Sequence, residues 1–226
     1  MTAGSGAGSM ESLYPFLYAD TGDLAAVLDQ VRASTVAKAG EIMELRRVIA
    51  AQDGARLAEC ARQAAARFAK GGRLFAFGNG GSATDAQQLA TLFLHPGGDT
   101  RPLPAFGLAN DTSVVTALAN DIGVDVVFAR QLAAFGRPGD IAIGLSTSGN
   151  SENLLRAFDE AARRGMLTIG LAGYEGGKMA ELDSIDYLFV APSTSIHRIQ
   201  EAQTTIYQVF WELTLMEVSH VPGHTG

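Results

Sequence analysis

The sequence of 226 residues contains a single cysteine and no long uncharged apolar run. One cysteine excludes a disulfide framework and a zinc site built on several thiolates. No apolar run approaches the length of about 18 residues that a membrane-spanning helix needs, and no signal peptide is recognisable. We therefore expect a cytoplasmic protein that has no membrane partner.

Basic residues are also sparse, since 17 Lys and Arg stand against 24 Asp and Glu and give a net charge of −7. A chain without a basic cluster is a poor candidate for contacts with the phosphates of duplex nucleic acid, so we expect no nucleic-acid partner. With 47% hydrophobic and 18% charged residues, the composition excludes disorder for most of the chain. The length fits one large α/β domain with an accessory helical segment.

The N-terminal third of the sequence is helical in pattern. Residues 1–21 are predicted to be a flexible tail, and residues 22–72 to form helices for oligomerisation. The apolar periodicity falls into two stretches, Asp23–Gln52 and Asp53–Lys70. We expect an antiparallel helical hairpin whose apolar faces pack against a second copy of the chain. The apolar residues concerned include Leu24, Leu28, Leu45 and Ile49.

Residues 73–219 alternate short β-rich runs with helical stretches. Alternation of this kind predicts right-handed crossovers and the α/β class, with a five-stranded parallel sheet in a doubly wound αβα sandwich. The predicted strands are Arg73–Phe77, Pro104–Leu108, Ile141–Leu145, Leu167–Leu171 and Tyr187–Val190. The predicted helices are Ser82–Leu94, Thr112–Asn120, Ser151–Arg164, Gly177–Leu182 and Ser195–Val218. Residues 220–226 are predicted to be a second flexible tail.

Two loops after predicted strands are rich in glycine and serine, namely Gly78–Ser82 and Ser146–Ser151. Each leads into a helix, whose first N–H groups and partial positive charge favour a phosphate. The sequence has neither G-x-x-x-x-G-K-[ST] nor a G-x-G-x-x-G followed by an acidic residue about 20 positions later, which argues against nucleoside triphosphate and dinucleotide sites. A monoester phosphate on a small molecule is predicted, and the alternative is that the serines only cap their helices.

Five segments of this sequence resemble the SIS (sugar isomerase) domain and, within it, the phosphoheptose isomerases. They are GNGGSATDAQ at 78–87, NDTSVVTALAND at 110–121, STSGNSENLLRAF at 146–158, GGKMAEL at 176–182 and RIQE at 198–201. The resemblance extends from about Asp53 to Val218. It implies the SIS fold, isomerisation of sedoheptulose 7-phosphate between ketose and aldose, and a homotetramer with active sites between subunits.

The resemblance also assigns binding roles by motif position. It implies that the phosphate is bound by Ser82, Ser146, Ser148 and Ser151. It implies that the sugar chain is contacted by Asn79, Asp111, Thr147 and Gln200.

The residues that carry the chemistry in the family differ here. Isomerisation through an enediol needs a base near the reacting carbons. The family places a His and a Glu on the helix after the first loop and a His on the last helix, and this sequence has Gln88, Leu92 and Gln208 there. Amides and leucine cannot act as bases near pH 7. Together with Gln200, these positions bind zinc in the family, but the side chains present are poor zinc ligands, so we expect neither a metal site nor another cofactor.

His197, directly before the RIQE segment, is the candidate substitute base, and the alternative is an exposed residue at the start of a helix. Asp85 is expected to stabilise the first turn of its helix. Two functions therefore stay open. One is an isomerase with a rearranged acid–base pair. The other is a catalytically inactive module for sensing phosphosugars or for assembly, like family members that associate with the bacterial replication initiator. A transcription regulator is disfavoured because no helix-turn-helix precedes the sheet.

Overall fold

A computed structural model of the chain describes residues 24–98 and 100–220. The chain divides into two compact units between Glu41 and Ile42. The described part of the first unit is helical and exposed, and the second unit contains the sheet. Apart from His220, the two predicted tails lie outside the described residues. None of the helices in the described ranges is long and apolar enough to cross a membrane.

The first helix, α1, comprises Leu24–Ala69, so the predicted helical hairpin is wrong. The chain does not turn at Gln52 and Asp53. Asp53 instead forms an ion pair with Arg56 at 3.1 Å, one helical turn later. Gly54 costs a helix about 1 kcal/mol relative to alanine, but no proline interrupts this helix. Gly54 and the second glycine of this helix, Gly40, lie among good helix formers and are therefore too weak to break it.

Five strands form one parallel sheet, as the sequence predicts. They are β1 (Leu74–Gly78), β2 (Ala105–Gly107), β3 (Ile141–Leu145), β4 (Leu167–Gly173) and β5 (Tyr187–Ala191). Their order across the sheet is β2-β1-β3-β4-β5. Every residue of β1, β3 and β4 is buried, which explains their continuous apolar sequences.

Five further helices connect or follow the strands. They are α2 (Gly81–Leu94), α3 (Thr112–Asp121), α4 (Val127–Phe135), α5 (Glu152–Arg163) and α6 (Ile196–Ser219). The predicted helix at 177–182 is a 3-10 helix over Gly177–Glu181, and a second 3-10 helix covers Val124–Val126. The sequence analysis missed α4, whose short buried face consists of Val127, Phe128, Gln131 and Leu132.

The helices cover both faces of the sheet and complete the predicted sandwich. Leu74 and Ala76 of β1 belong to a core shared with α2, α6 and the part of α1 in the second unit. Phe75 and Phe77 belong to a second core, shared with α4 and α5. This division follows from the alternation of side chains along a strand. Cys60 is completely buried in the first core, and this burial raises the pKa of its thiol far above the ordinary value.

The strand order reverses between β1 and β3. From β1 the chain goes to β2 on one side, and it then continues at β3 on the other side. Gly78 at the end of β1 is in register with Leu145 at the end of β3. The two glycine- and serine-rich loops therefore begin side by side, at the point where open parallel sheets bind their ligands.

Candidate functional site

The first loop turns the chain from β1 into α2 within two residues. A side chain at Gly78 would meet the carbonyl oxygens of Ser82 and Leu145 at 2.6 and 2.9 Å. Gly80 has a φ of 54°, which glycine adopts without strain. This geometry brings the start of α2 directly against the end of β3.

The second loop is folded on itself by its serines. The Ser146 hydroxyl accepts a hydrogen bond from the N–H of Gly149 at 3.0 Å, and the Ser148 hydroxyl accepts one from the N–H of Asn150 at 3.2 Å. Gly149 has a φ of 67°, and a Cβ there would collide with the carbonyl oxygen of Gly176. The loop after β4 therefore holds the serine loop in place.

The helices that begin at these two loops lack side-chain caps. Gly80, at the N-cap position of α2, has no side chain, and the Ser151 hydroxyl at the N-cap position of α5 binds no N–H group of its helix. By contrast, the Asp111 carboxylate accepts a hydrogen bond from the N–H of Val114 at 3.0 Å and caps α3. The alternative that Ser151 serves as a helix cap therefore does not hold. Among the described residues, no side chain is bound to the first N–H groups of α2 and α5, so these groups are available to an anion.

A cavity of about 90 Å³ lies between the two loops, and we call it the serine cavity. It is lined by Asn79, Ser82, Leu145, Ser146, Thr147, Ser148 and Ser151. The structure thus brings together six of the eight residues predicted to bind substrate. Among the described residues, no lysine or arginine lines the cavity, so an anion there would be bound by hydroxyls, N–H groups and the dipoles of two helices.

Two buried amides, which the sequence analysis missed, fix the serine cavity. Asn153 of α5 and Asn79 exchange two hydrogen bonds of 2.9 Å, which join the two loops. Gln203 of α6 is completely buried, and its amide donates to the Ser146 carbonyl at 3.0 Å. The sequence signal for Gln203 is its position among the apolar residues Ala202 and Ile206 of α6. A polar side chain on a buried helix face needs a hydrogen-bond partner.

Two of the predicted substrate-binding residues do not line the serine cavity. Asp111 is exposed and caps α3. The side-chain amide of Gln200 lies over Gly81, where a Cβ would overlap it. Gln200 therefore borders the first loop, while Asp111 lies at the loop after β2. His197 is exposed in the first turn of α6, and its role as a base stays a prediction.

The positions that bind zinc in the family do not form a metal site here. Gln88 and Gln208 are exposed, Leu92 packs against the apolar core, and Gln200 covers Gly81. In the described ranges there is no group of three His, Cys, Asp or Glu residues that could hold a metal ion. Three amides and a leucine are a donor set that does not fit zinc.

Asp85 lies where α2 packs against α6. Tyr207 donates a hydrogen bond to its carboxylate across 3.5 Å. Burial raises the pKa of Asp85 above its ordinary value, and hydrogen bonds from the Tyr207 and Thr204 hydroxyls counteract part of this increase. The expectation that Asp85 stabilises the first turn of its helix is wrong, because it lies beyond that turn and binds a neighbouring helix.

A second, larger cavity borders the serine cavity at Ser148. Its volume is about 940 Å³. It is lined by Ser148, Asn150, Tyr174, Glu175, Gly177, Pro192, Ser193 and Thr194, at the ends of β3, β4 and β5. Ser148 therefore lines both cavities.

Comparison with known proteins identifies relatives across most of the chain. The SIS domain family matches residues 38–173. The phosphoheptose isomerase of Pelodictyon phaeoclathratiforme is 46% identical over 173 residues, which are 75% of this chain and 82% of that protein. The solved phosphoheptose isomerase of Neisseria gonorrhoeae has a TM-score of 0.74 and 33% identity, with 80% of this chain and 97% of that chain covered. That of Francisella tularensis has a TM-score of 0.71 and 29% identity, with 84% and 98% covered.

These similarities agree with the resemblance found in the sequence. The relatives bear the name of an isomerase, which favours the isomerase interpretation over the catalytically inactive alternative.

Proposed function

Because the chain belongs to the SIS domain family, we propose that it is a phosphosugar isomerase that converts sedoheptulose 7-phosphate into the corresponding aldose phosphate. The observation that carries the proposal is the serine cavity, formed where two helices without side-chain caps begin on neighbouring strands. Such a site suits a phosphate monoester because it supplies many neutral donors and the positive ends of two helix dipoles.

In this proposal the phosphate anchors the substrate and the rest of the site orients the sugar chain. Ser82, Ser146, Ser148 and Ser151 hold the phosphate oxygens. Asn79, Thr147, Asp111 and Gln200 contact the sugar hydroxyls. The two carbons that react lie at the opposite end of the sugar from the phosphate, so the proton-transfer group has to lie several ångströms from the serine cavity. Holding one end of a flexible substrate in this way lowers the entropic cost of reaching the reactive geometry.

The proposal is tested with purified protein and sedoheptulose 7-phosphate, with aldose formation followed by proton NMR. We expect turnover without added metal and no increase when zinc is added, because the donor set does not fit zinc. Calorimetry with the same substrate measures binding separately. Binding without turnover would show a phosphosugar-binding module, and the absence of both would overturn the assignment.

We further propose that the protein works as a homotetramer in which the N-terminal helix contributes to the subunit contacts. Val27, Leu28 and Val31 lie on one side of α1, with 55%, 47% and 56% of their surface exposed. Apolar side chains grouped in this way on a helix favour burial against a partner. A cytoplasmic location, expected from the sequence, also stays a prediction, which fractionation of the producing cells would test.

Light scattering on the purified chain tests the oligomer. We expect the mass of four chains, and a lower mass after Leu28→Glu combined with Val31→Glu. Ala33→Glu, on the opposite side of the helix, is the control and should leave the mass unchanged. A monomeric parent protein would contradict the proposal.

A further inference from the structure

The contact between α2 and α6 contains few groups that can take up or release a proton. Asp85 is the only ionisable residue of α2. In the first three turns of α6, His197 is exposed at the helix start, and Arg198 is paired with Glu201. Tyr207 is 2% exposed and faces α2. Asp85 is therefore the only carboxylate that α2 brings to this contact.

The position of Asp85 relative to the serine cavity suits a substrate held by its phosphate. Gln200 covers Gly81 at the start of α2, and Tyr207 meets Asp85 further along. The two helices therefore run side by side away from the serine cavity. Ser82 lines that cavity, and Asp85 lies three residues later, about 4.5 Å along the helix axis. Asp85 therefore follows the serine cavity by about one helical turn, on the side of α2 that meets α6.

The surroundings of Asp85 suit a group that exchanges a proton. It is half-buried, and its polar neighbours are the hydroxyls of Tyr207 and Thr204. The strands beneath α2 contribute apolar side chains such as Leu74, Ala76 and Ile143. No charged group of the described chain contributes to the increase in the pKa of Asp85, which comes from burial. A carboxylate with a raised pKa is better matched to general acid–base work near neutral pH.

We propose that Asp85 is the catalytic base and acid of the isomerisation, in place of the histidine and glutamate that the family has on α2 and the histidine on α6. This inference rests on the proposed function. The Asp85 carboxylate removes a proton from C1 of the ketose, and the C–H electron pair forms the C1=C2 double bond while the carbonyl electrons move to O2. The O1 hydroxyl then transfers its proton to O2. The C1=O1 bond forms as C2 takes the proton back from Asp85, so protons and electrons balance.

Tyr207 and Thr204 are positioning residues in this scheme. The Tyr207 hydroxyl donates to the Asp85 carboxylate, which fixes its orientation and favours the ionised form that acts as the base. The Thr204 hydroxyl lies beside this carboxylate and donates its proton to the Gln200 carbonyl oxygen at 2.9 Å. These hydroxyls thus connect Asp85 with the segment of α6 that borders the first loop.

Asp85→Asn tests the proposal, because it keeps the shape of the side chain and removes the proton acceptor. We expect a loss of about 10²–10⁴-fold in kcat, with an unchanged dissociation constant for sedoheptulose 7-phosphate by calorimetry and an unchanged circular dichroism spectrum. Asp183→Asn, an exposed turn residue, is the matched control and should keep the parental kcat. Exchange of the C1 hydrogens in deuterated water, followed by NMR, should fall in parallel with kcat.

The outcomes separate this inference from the proposed function. If the parent protein turns over sedoheptulose 7-phosphate and Asp85→Asn does so equally well, the role of Asp85 is overturned and the isomerase stands. If the parent protein itself neither exchanges nor converts the substrate, the proposed function fails, and the role of Asp85 fails with it.

Tyr207→Phe tests whether Tyr207 acts through Asp85, because a purely structural role of Tyr207 would not change the pH profile of kcat/KM. Removing this donor destabilises the Asp85 carboxylate, so the acidic limb of the pH profile of kcat/KM should shift to higher pH. A limb that stays in place, in a folded variant, would show that Tyr207 does not act through Asp85. Asp85→Glu keeps a carboxylate, so it should retain part of the activity that Asp85→Asn loses. If Asp85→Glu is folded but inactive, and the acidic limb of the pH profile does not shift in Tyr207→Phe, the proposal is overturned.

Discussion

The serine cavity and the contact between α2 and α6 differ in how much of the family's chemistry they carry. At the serine cavity, all four serines expected to bind phosphate line one space of about 90 Å³. At the helix contact, the positions that carry histidine and glutamate in the family are occupied by Gln88, Leu92 and Gln208. Only the first region keeps the side chains that the family resemblance assigns to it.

This difference shows which functions depend on the backbone and which depend on single side chains. Phosphate binding uses N–H groups, helix dipoles and small hydroxyls, which follow from the loop shape. Proton transfer needs one titratable group at one place. A carboxylate on another turn of the same helix, such as Asp85, can supply that group without a change in the binding site.

The largest effect is expected from combining Ser82→Ala with Ser148→Ala, which removes two hydroxyls from the serine cavity. Hydrogen bonds to a charged group contribute about 1.5–3 kcal/mol each, so the dissociation constant for sedoheptulose 7-phosphate should rise roughly 10²–10⁴-fold. Calorimetry measures this change. Ser113→Ala, an exposed serine on α3, is the control, and an unchanged affinity of the double variant would show that the phosphate binds elsewhere.

A smaller effect is expected from Gly149→Ala, compared with Gly80→Ala. Both glycines have positive φ, but a Cβ at Gly149 would collide with the Gly176 carbonyl oxygen, whereas nothing lies within 4 Å of one at Gly80. Gly80→Ala should lower the free energy of unfolding by about 1 kcal/mol for the backbone conformation alone. Gly149→Ala should lower it further, and urea denaturation measures both. If the two variants lose the same free energy of unfolding, the loop after β4 shifts to accommodate the added Cβ at no energetic cost.

The smallest effect is expected in the pH dependence of stability. The folded pKa of Asp85 lies above its ordinary value of 3.8, so the folded chain holds this proton more tightly than the unfolded chain does. The contribution to stability is complete at low pH and is lost as the pH rises through the folded pKa. Asp85→Asn cannot ionise and avoids this loss. Its Tm should exceed that of the parent protein at pH 7, and the difference should shrink as the pH falls towards 3.5. A lower Tm of the variant at pH 7 would contradict this sign.

Much of the sheet and of the serine cavity could be predicted because their signals are local. The strands are short apolar runs, of which β1, β3 and β4 are fully buried, and the two loops are recognised by glycine and serine next to helix starts. α4 was missed because it has little more than two turns, which is too short for a clear period. The hairpin in α1 was predicted because the apolar periodicity falls into two stretches that meet at Gln52 and Asp53, but neither residue prevents helical geometry.

The contacts that hold the site together depend on distant parts of the chain and could not be predicted. Asn79 and Asn153 are separated by 74 positions in the sequence, and Asp85 and Tyr207 by 122 positions. No sequence period relates such partners, because they meet only after the sheet has formed. Sequence reasoning therefore found most of the residues that line the serine cavity, and the structure was needed to show which residues hold them in place.

The complete burial of Cys60 has a practical consequence for following ligand binding. Since the thiolate is the reactive form, a buried thiol with a raised pKa reacts slowly with maleimides or iodoacetamide. It is also the only cysteine of the chain. A cysteine introduced at exposed Thr194, in the wall of the larger cavity, would therefore take up a fluorophore selectively and report the arrival of a sugar phosphate by fluorescence.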